Sequence, residues 1–244
     1  MIRLICVAVF VVLFLILSIP LLIAEWIIGK FNMDLKGRSS LAIVNWAFGW
    51  VLRLAGVKVT CIGLDRVPKD RAVLYIGNHR SYFDIVMTYV RVPRMTGYIA
   101  KVEMEKIPLL SHWMRNLHCL FLDRKDLKQG MKTIVTAIEK VKAGISICIF
   151  PEGTRNKVVD TFLPFHGGSF KIAEKTNCPI VPMAINNAGS IFEDHLPTIK
   201  KTHVVLEYGE PIYPDQLSKE DRKRLPEITL ERIQEMYFKN KELV

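Results

Sequence analysis

The sequence predicts an α/β fold: a layered domain with a largely parallel β-sheet flanked by helices, preceded by N-terminal membrane helices. Seven short runs rich in β-branched residues follow position 56, and helical patterns lie between several of them. Strands that alternate with helices are typical of a parallel sheet in a layered domain. The first 56 residues contain two long apolar runs instead. We therefore predict a membrane-anchoring segment at residues 1–56 and an α/β domain at residues 57–244.

The first apolar run extends from Leu4 to Ala24 and has 21 residues without a charge. As a helix it would be about 31 Å long, close to the thickness of the hydrocarbon core of a bilayer. Ser18 and Pro20 interrupt the run, so the helix is expected to kink or to end early. A cleaved signal peptide is the alternative, but no A-x-A cleavage site follows the run.

The second run, Ser39–Ala55, is apolar on nearly all sides and rich in aromatic residues. Such a helix is buried in protein or in lipid. The two runs fit either one spanning helix with an interfacial one, or a pair of helices that dip into one leaflet. Lys30, Lys36 and Arg38 lie between the runs, and a basic remainder follows. The positive-inside rule then places the α/β domain on the cytoplasmic side of the cell membrane.

Within the α/β domain, the β-branched runs predict strands at Val57–Ile62, Ala72–Ile76, Tyr98–Ala100, Cys119–Leu122, Ile145–Phe150, Ile180–Ile185 and Val204–Tyr208. From Leu127 to Lys142 apolar side chains recur at three- and four-residue spacing, which predicts an amphipathic helix. The tail from Asp215 is charged and helical, and it carries no recognisable chemistry. In parallel sheets the functional sites lie in loops at the strand ends.

The net charge of +10 favours anionic partners: nucleic acid, an acidic membrane surface or a phosphorylated substrate. The basic residues are scattered, and neither a Cys/His finger nor an RNA-binding motif is present, so we expect no nucleic-acid partner. The five cysteines are odd in number and far apart, which favours buried free thiols in a reducing compartment. Because CxxC, HExxH and P-loop motifs are absent, we expect neither a metal nor a cofactor.

The motif NHRSYFD, residues 78–84, follows the second predicted strand. Ser81 is placed to cap the next helix, with Asp84 in the capping-box position. If His79 lies in the turn, its ring can fold back onto Asp84, which fixes the tautomer and leaves the other ring nitrogen free to accept a proton. A general base requires this arrangement. The alternative is that Asp84 only caps the helix and His79 only forms the turn.

Basic residues also follow two other predicted strands. Arg124 comes after the fourth strand, and the motif FPEGTRN, residues 150–156, brings Glu152, Gly153 and Arg155 after the fifth. Arginine binds phosphate oxygens in a bidentate manner, and the turn at Gly153 can direct backbone N–H groups to the same anion. For Arg124 the alternative is a surface ion pair with a neighbouring aspartate. For Glu152 it is a solvated side chain or a partner of Arg155.

Four blocks occur in one order along the chain: NHRSYFD at 78–84, FLDRKD at 121–126, FPEGTRN at 150–156 and VPMAINNAG at 181–189. Together they resemble the 1-acylglycerol-3-phosphate acyltransferases, or lysophosphatidic acid acyltransferases, of the glycerolipid acyltransferase family. The region from residue 78 to residue 189 is a little under half of the chain, and the combination of blocks is highly specific. Some members of the family carry an N-terminal pair of membrane helices, which fits residues 4–55.

The resemblance implies an α/β fold and a His–Asp pair that acts without a metal, a cofactor or a covalent acyl-enzyme. It assigns His79 as the base and Asp84 as the residue that orients it. It assigns four further positions of the second and third blocks to the acceptor-binding pocket: Arg124, Glu152, Gly153 and Arg155. Lys101, which alone is typical of a solvated lysine, matches the family's A-K-x-E block and is expected to contact phosphate. The fourth block is expected to support the acyl chain or the fold.

The implied reaction belongs to phospholipid biosynthesis. It moves a fatty acyl group from acyl-CoA or acyl carrier protein to the free hydroxyl of 1-acylglycerol-3-phosphate, beside a lipid bilayer, and gives phosphatidic acid. Within the family, the alternative acceptors are glycerol-3-phosphate and other lysophospholipids. A noncatalytic lipid-binding protein would leave His79 and Asp84 without a purpose, and a nucleic-acid binder would leave the apolar N-terminus unexplained.

Overall fold

The computed structural model describes all 244 residues and contains one seven-stranded sheet. The strands are β1 (Val57–Ile62), β2 (Leu74–Gly77), β3 (Thr96–Lys101), β4 (Leu120–Leu122), β5 (Ser146–Ile149), β6 (Ile180–Asn186) and β7 (Thr202–Tyr208). Each overlaps one of the β-branched runs, so the seven predicted strands are confirmed. Their order across the sheet is β1-β7-β6-β2-β5-β3-β4.

Five neighbouring strands, from β6 to β4 in this order, run parallel to one another. Strand β7 is antiparallel to β6, and β1 is parallel to β7. The sheet is therefore largely parallel, as predicted, with a reversed pair at one side. The loops after β2, β5, β3 and β4 leave the same edge in that spatial order, which we call the site edge.

The helices are α1 (Ile2–Leu17), α2 (Ile19–Phe31), α3 (Met33–Ala55), α4 (Phe83–Tyr89), α5 (Leu110–Asn116), α6 (Leu127–Lys142), α7 (Lys171–Thr176), α8 (Lys219–Lys223) and α9 (Leu225–Asn240). Helix α6 has the predicted bounds. Alternate residues of the strands face opposite sides of the sheet, so two cores form. Helices α3, α4 and α5 contribute to the core that contains Tyr75, whereas α6, α7 and α9 contribute to the core that contains Leu74 and Ile76.

The first apolar run is divided between α1 and α2, which meet at Ser18 with a bend of 47°. The predicted interruption is confirmed: the hydroxyl of Ser18 donates to the carbonyl of Leu15, and Pro20 lies in the first turn of α2, where a missing N–H costs little. No single helix is long and apolar enough to cross a bilayer, whereas the bent pair α1–α2 passes the same criterion by length and composition.

All five cysteines are free. Burial is as expected for Cys119, Cys148 and Cys178, whereas Cys61 is half-buried and Cys6 is exposed on α1. Burial raises the pKa of the Cys119 thiol to about 11. The buried thiols therefore pack as small apolar side chains.

Candidate active site

His79 and Asp84 are in contact beyond the end of β2. The Oδ2 atom of Asp84 lies 2.8 Å from Nδ1 of His79 and also accepts the backbone N–H groups of Arg80 and Ser81, each at 2.8 Å. Because Oδ2 is an acceptor in all three contacts, Nδ1 carries the proton and Nε2 of His79 is the free acceptor. The Asp84 side chain is 1% exposed and that of His79 is 15% exposed. A buried carboxylate thus orients a ring that is still open to a reactant.

The ring of His79 is also held by packing. It stacks on the ring of Phe150 with centroids 4.5 Å apart and planes inclined by 17°. Phe150 follows β5, the strand next to β2. Ring stacking and the Asp84 contact together fix both the plane and the direction of the imidazole.

The third block holds the backbone of His79 from two sides. The Oε1 atom of Glu152 accepts the N–H of His79 at 2.9 Å, and the backbone N–H of Asn156 donates to the carbonyl of His79 at 2.7 Å. Glu152 is 4% exposed, and burial raises the pKa of its carboxyl group. It is neither solvated nor a partner of Arg155. Its place in the acceptor pocket stays a prediction, while its contact in the structure is with the loop that carries His79.

Gly153 lies next to Glu152 and has a positive φ of 72°, which favours glycine. A Cβ atom at this position would lie 3.2 Å from the ring of His166 and 4.0 Å from Nε of Arg124. The turn therefore brings the loop after β5 against the loop after β4. Arg124 makes no ion pair with Asp123 or with Asp126, which caps α6.

The predicted phosphate ligands lie in different surroundings. Burial lowers the pKa of Arg124, and nearby Glu103 opposes that shift. Lys101 forms an exposed ion pair with Glu103 at 2.7 Å. Arg155 is stacked on Tyr82, with its guanidinium carbon 3.7 Å from the ring centroid. Lys101 thus ends β3 and Arg124 follows β4, whereas Arg155 reaches across to the loop after β2.

Several side chains that hold the site escaped the sequence argument. Asn78 bonds both the N–H and the carbonyl of Ile185 in β6, at 2.8 and 2.9 Å. Arg80 pairs with Asp194 at 2.9 Å, and a Cβ at Gly189 would lie 2.9 Å from its guanidinium. Gly189 ends the fourth block, which therefore supports the fold around the first. Asn78 and Arg80 belong to a recognised motif, whereas Asp194 lies in a short 3-10 helix, Glu193–His195, outside every motif.

No three His, Cys, Asp or Glu side chains converge as a metal site would require. The arrangement can do other chemistry. Nε2 of His79 can take a proton from a hydroxyl group, and the arginines of the loops after β4 and β5 can bind an anionic group of the same molecule. Acid–base chemistry on a phosphorylated alcohol fits both features.

A model of the Acyltransferase family matches residues 58–186, about half of the chain. Proteins named 1-acyl-sn-glycerol-3-phosphate acyltransferase are similar to it. The one from Borreliella burgdorferi is 33% identical over 58% of this chain and 56% of its own length. The one from Saccharomyces cerevisiae is 28% identical over 80% of this chain and 65% of its own length. The one from Helicobacter pylori is 33% identical over 75% of this chain and 76% of its own length.

The matched region thus spans less than two thirds of the Borreliella and yeast relatives. Among solved structures, the crystal structure of the 1-acyl-sn-glycerophosphate (LPA) acyltransferase PlsC from Thermotoga maritima has a similar fold. The TM-score is 0.83 at 24% sequence identity, over 97% of this chain and 94% of that one. At this identity the likeness concerns the fold alone.

Proposed function

The chain belongs to the acyltransferase family that includes the 1-acyl-sn-glycerol-3-phosphate acyltransferases, and we propose that it acylates 1-acylglycerol-3-phosphate to phosphatidic acid. The acyl group comes from a thioester, either acyl-CoA or acyl carrier protein. The observation that carries the proposal is the oriented His79–Asp84 pair with a free Nε2 atom at the site edge. A noncatalytic lipid-binding protein has no need of this geometry.

The reaction begins as Nε2 of His79 takes the proton of the acceptor's free hydroxyl. That oxygen attacks the thioester carbonyl, the carbon–sulfur bond breaks, and the departing thiolate takes the proton back from His79. Asp84 stabilises the imidazolium that forms between the two transfers. Such general-base catalysis contributes about 10²–10⁴-fold to the rate.

The phosphate of the acceptor is assigned to Arg124, Arg155 and Lys101. Arg124 and Arg155 support this role because they lie beside the loop of Gly153, next to the loop that holds His79. An arginine–phosphate contact is charge-assisted and directional, so it aligns the acceptor as well as binding it. Lys101, paired with Glu103, stands further along the site edge.

We also propose that the N-terminal helices place this site beside a bilayer, on the cytoplasmic side of the cell membrane. The amino ends of β1 and β7 lie at the site edge, because both strands run opposite to β2. Arg3 reaches Gly56 there, with its Nε atom 3.2 Å from a Cβ built on that glycine. Helix α1 therefore starts at the edge that carries His79, which suits an acceptor and a product that both reside in lipid.

The test is an assay of the purified protein with labelled acyl-CoA and acyl-acyl carrier protein. The acceptors are 1-acylglycerol-3-phosphate, glycerol-3-phosphate, other lysophospholipids and a phosphate-free monoacylglycerol. We expect phosphatidic acid as the main product. Faster acylation of glycerol-3-phosphate or of another lysolipid would replace the acceptor, and no acylation of any of them would refute the function.

A further inference from the structure

Glu193 lies after β6, outside all four sequence blocks, and connects two of them. Its Oε1 atom accepts the backbone N–H of Tyr82 at 2.8 Å and Nη1 of Arg155 at 3.1 Å. The side chain is 14% exposed, and its buried Oε2 atom has no hydrogen-bond partner. All hydrogen bonds of this carboxylate therefore pass through Oε1, to the loop that carries the base and to the arginine of the third block.

Arg155 is held on two sides by this arrangement. Glu193 binds Nη1, while Nη2 donates to the hydroxyl of Tyr82 at 3.0 Å and the guanidinium lies over the ring of Tyr82. A guanidinium has five N–H donors, so two contacts leave others available for an anion. Fixing a long side chain before it binds reduces the conformational entropy that binding would otherwise cost.

We propose that Glu193 is a positioning residue that holds Arg155 in the orientation that binds the acceptor's phosphate; this rests on the proposed function. A carboxylate near a phosphate also repels it, and this effect has the opposite sign. Kinetics of Glu193 variants show which of the two effects, orientation of Arg155 or repulsion of the phosphate, is larger. Lost orientation raises the acceptor KM, whereas relieved repulsion lowers it.

The first test measures acceptor kinetics of Glu193→Ala and Glu193→Gln. Alanine frees Arg155 and should raise KM for 1-acylglycerol-3-phosphate about tenfold, as the loss of one charge-assisted contact does, with kcat nearly unchanged. Glutamine keeps an acceptor oxygen in place and should restore most of the affinity. A fall in KM in either variant would overturn the proposal. If the alanine variant does not fold, Glu193→Met is the substitute, because methionine fills a similar volume but has no side-chain oxygen to hold Arg155. It should raise the acceptor KM in the same way.

The second test distinguishes positioning from a general loosening of the site. If Glu193 acts through Arg155, the double variant with Arg155→Ala should have the acceptor KM of Arg155→Ala alone. Independent effects that multiply would overturn the proposal. An active wild-type enzyme whose Arg155→Ala variant keeps its acceptor KM would refute the positioning role only. A wild-type protein that never acylates 1-acylglycerol-3-phosphate would instead refute the proposed function.

Discussion

At the scale of residues, one oxygen of Asp84 holds both the turn before α4 and the ring of His79. Its Oδ2 atom accepts the N–H groups of Arg80 and Ser81, and the same atom binds Nδ1 of His79. The hydroxyl of Ser81 in turn accepts the N–H of Phe83 at 3.0 Å. The start of α4 thus fixes the carboxylate, and the carboxylate fixes the imidazole. The predicted cap at Ser81 is not formed, since the N-cap residue of α4 is Tyr82, without a side-chain cap bond.

Replacing His79 with alanine should lower kcat by about 10²–10⁴-fold, because the hydroxyl then has no base. Asp84→Asn should also be severe, since an amide oxygen can keep the contacts with the backbone of the turn but supplies no charge to stabilise the imidazolium. Turnover at saturating substrate measures both, with thermal unfolding as the check on folding. His112→Ala, an exposed histidine on α5, is the matched control and should keep wild-type turnover. A folded His79→Ala enzyme with near-normal kcat would contradict the assignment of the base.

Arg124→Ala and Arg155→Ala should raise the acceptor KM much more than they lower kcat, because the lost contact binds substrate and transition state alike. Each charge-assisted contact contributes about 1.5–3 kcal/mol, so the rise should be roughly tenfold or more. Arg→Lys should restore only part of it, since lysine lacks the planar fork. Arg232→Ala on the exposed side of α9 is the control. An unchanged acceptor KM in both alanine variants would place the phosphate elsewhere.

At the scale of elements, α3 packs with the sheet although it continues an apolar segment. Val44, Val51, Leu52 and Ala55 are buried in the same core as Tyr75. By contrast, α1 has no fully buried residue, and α2 buries only Glu25, whose Oε2 atom accepts the hydroxyl of Ser39 at 3.0 Å. The division at residue 56 thus separates α3 from the core that it helps to form.

Two truncations should therefore behave differently. Residues 32–244 retain α3 with its cap Asn32 and should unfold cooperatively in detergent. Residues 57–244 should aggregate, because Val44, Val51 and Leu52 each stabilise the core by about 1.5–3 kcal/mol, a sum comparable to the net stability of a domain. Size-exclusion chromatography and thermal unfolding of both fragments are the measurements. A monodisperse, folded 57–244 fragment would show that α3 is dispensable.

His118 lies where three elements meet, and it should make stability depend on pH. Burial lowers its pKa to about 4, and Lys140 of α6 and Lys36 of α3 add to the shift. Between the ordinary histidine pKa of about 6.5 and this value, the unfolded chain binds a proton that the folded chain does not. Stability should therefore fall as the pH decreases through that window. His118 has a φ of 59°, which asparagine tolerates, so His118→Asn is a matched variant whose Tm should fall less. An equal fall in both proteins would contradict the role of His118.

At the scale of the whole molecule, the order of strands assembles the site. Residues 79, 124 and 153 are far apart in the chain, but they follow β2, β4 and β5, and Lys101 ends β3, which lies between β5 and β4 in the sheet. The apolar helices α1, α2 and α3 lie on one side of this assembly and expose Trp26, Phe31 and Trp46. Lys30 lies 3.9 Å from the ring centroid of Trp26, and Arg53 lies 4.8 Å from that of Trp50. Tryptophan beside a cation is typical of side chains at a membrane interface.

The full-length protein should accordingly stay in the membrane fraction in 1 M salt. At that concentration the Debye length is about 3 Å. Salt would therefore release the protein if only its net charge of +10 held it on an acidic membrane surface. Burial of apolar helices is not screened in this way. Fractionation of the full-length and 32–244 proteins, with and without salt, is the measurement. Complete release of the full-length protein by salt alone would show that α1 and α2 are not an anchor.

Local patterns determined the elements and the proposed reacting groups. Short runs of β-branched residues indicated all seven strands, and a period of 3.6 indicated the bounds of α6. His79 and Asp84 are five residues apart, and one turn brings them together. Lys101 ends a strand and Arg124 comes two residues after one, so their position at the edge of the sheet could be inferred. The strands, the bounds of α6 and the His79–Asp84 contact all depend on residues that are close together in the chain, so they can be predicted from the sequence.

The supports of the site were decided by tertiary structure alone. Glu152 binds the backbone of His79 across 73 positions, Asn78 binds β6 across 107, and Glu193 meets Tyr82 across 111. Strand order creates these encounters, because β5 and β6 are the two neighbours of β2 in the sheet. These long-range contacts leave no periodic pattern in the sequence. A carboxylate in a loop has the same sequence neighbours whether it is solvated or buried against a distant backbone. The chemistry therefore follows from short-range order, whereas the packing that holds it in place follows from which strands become neighbours.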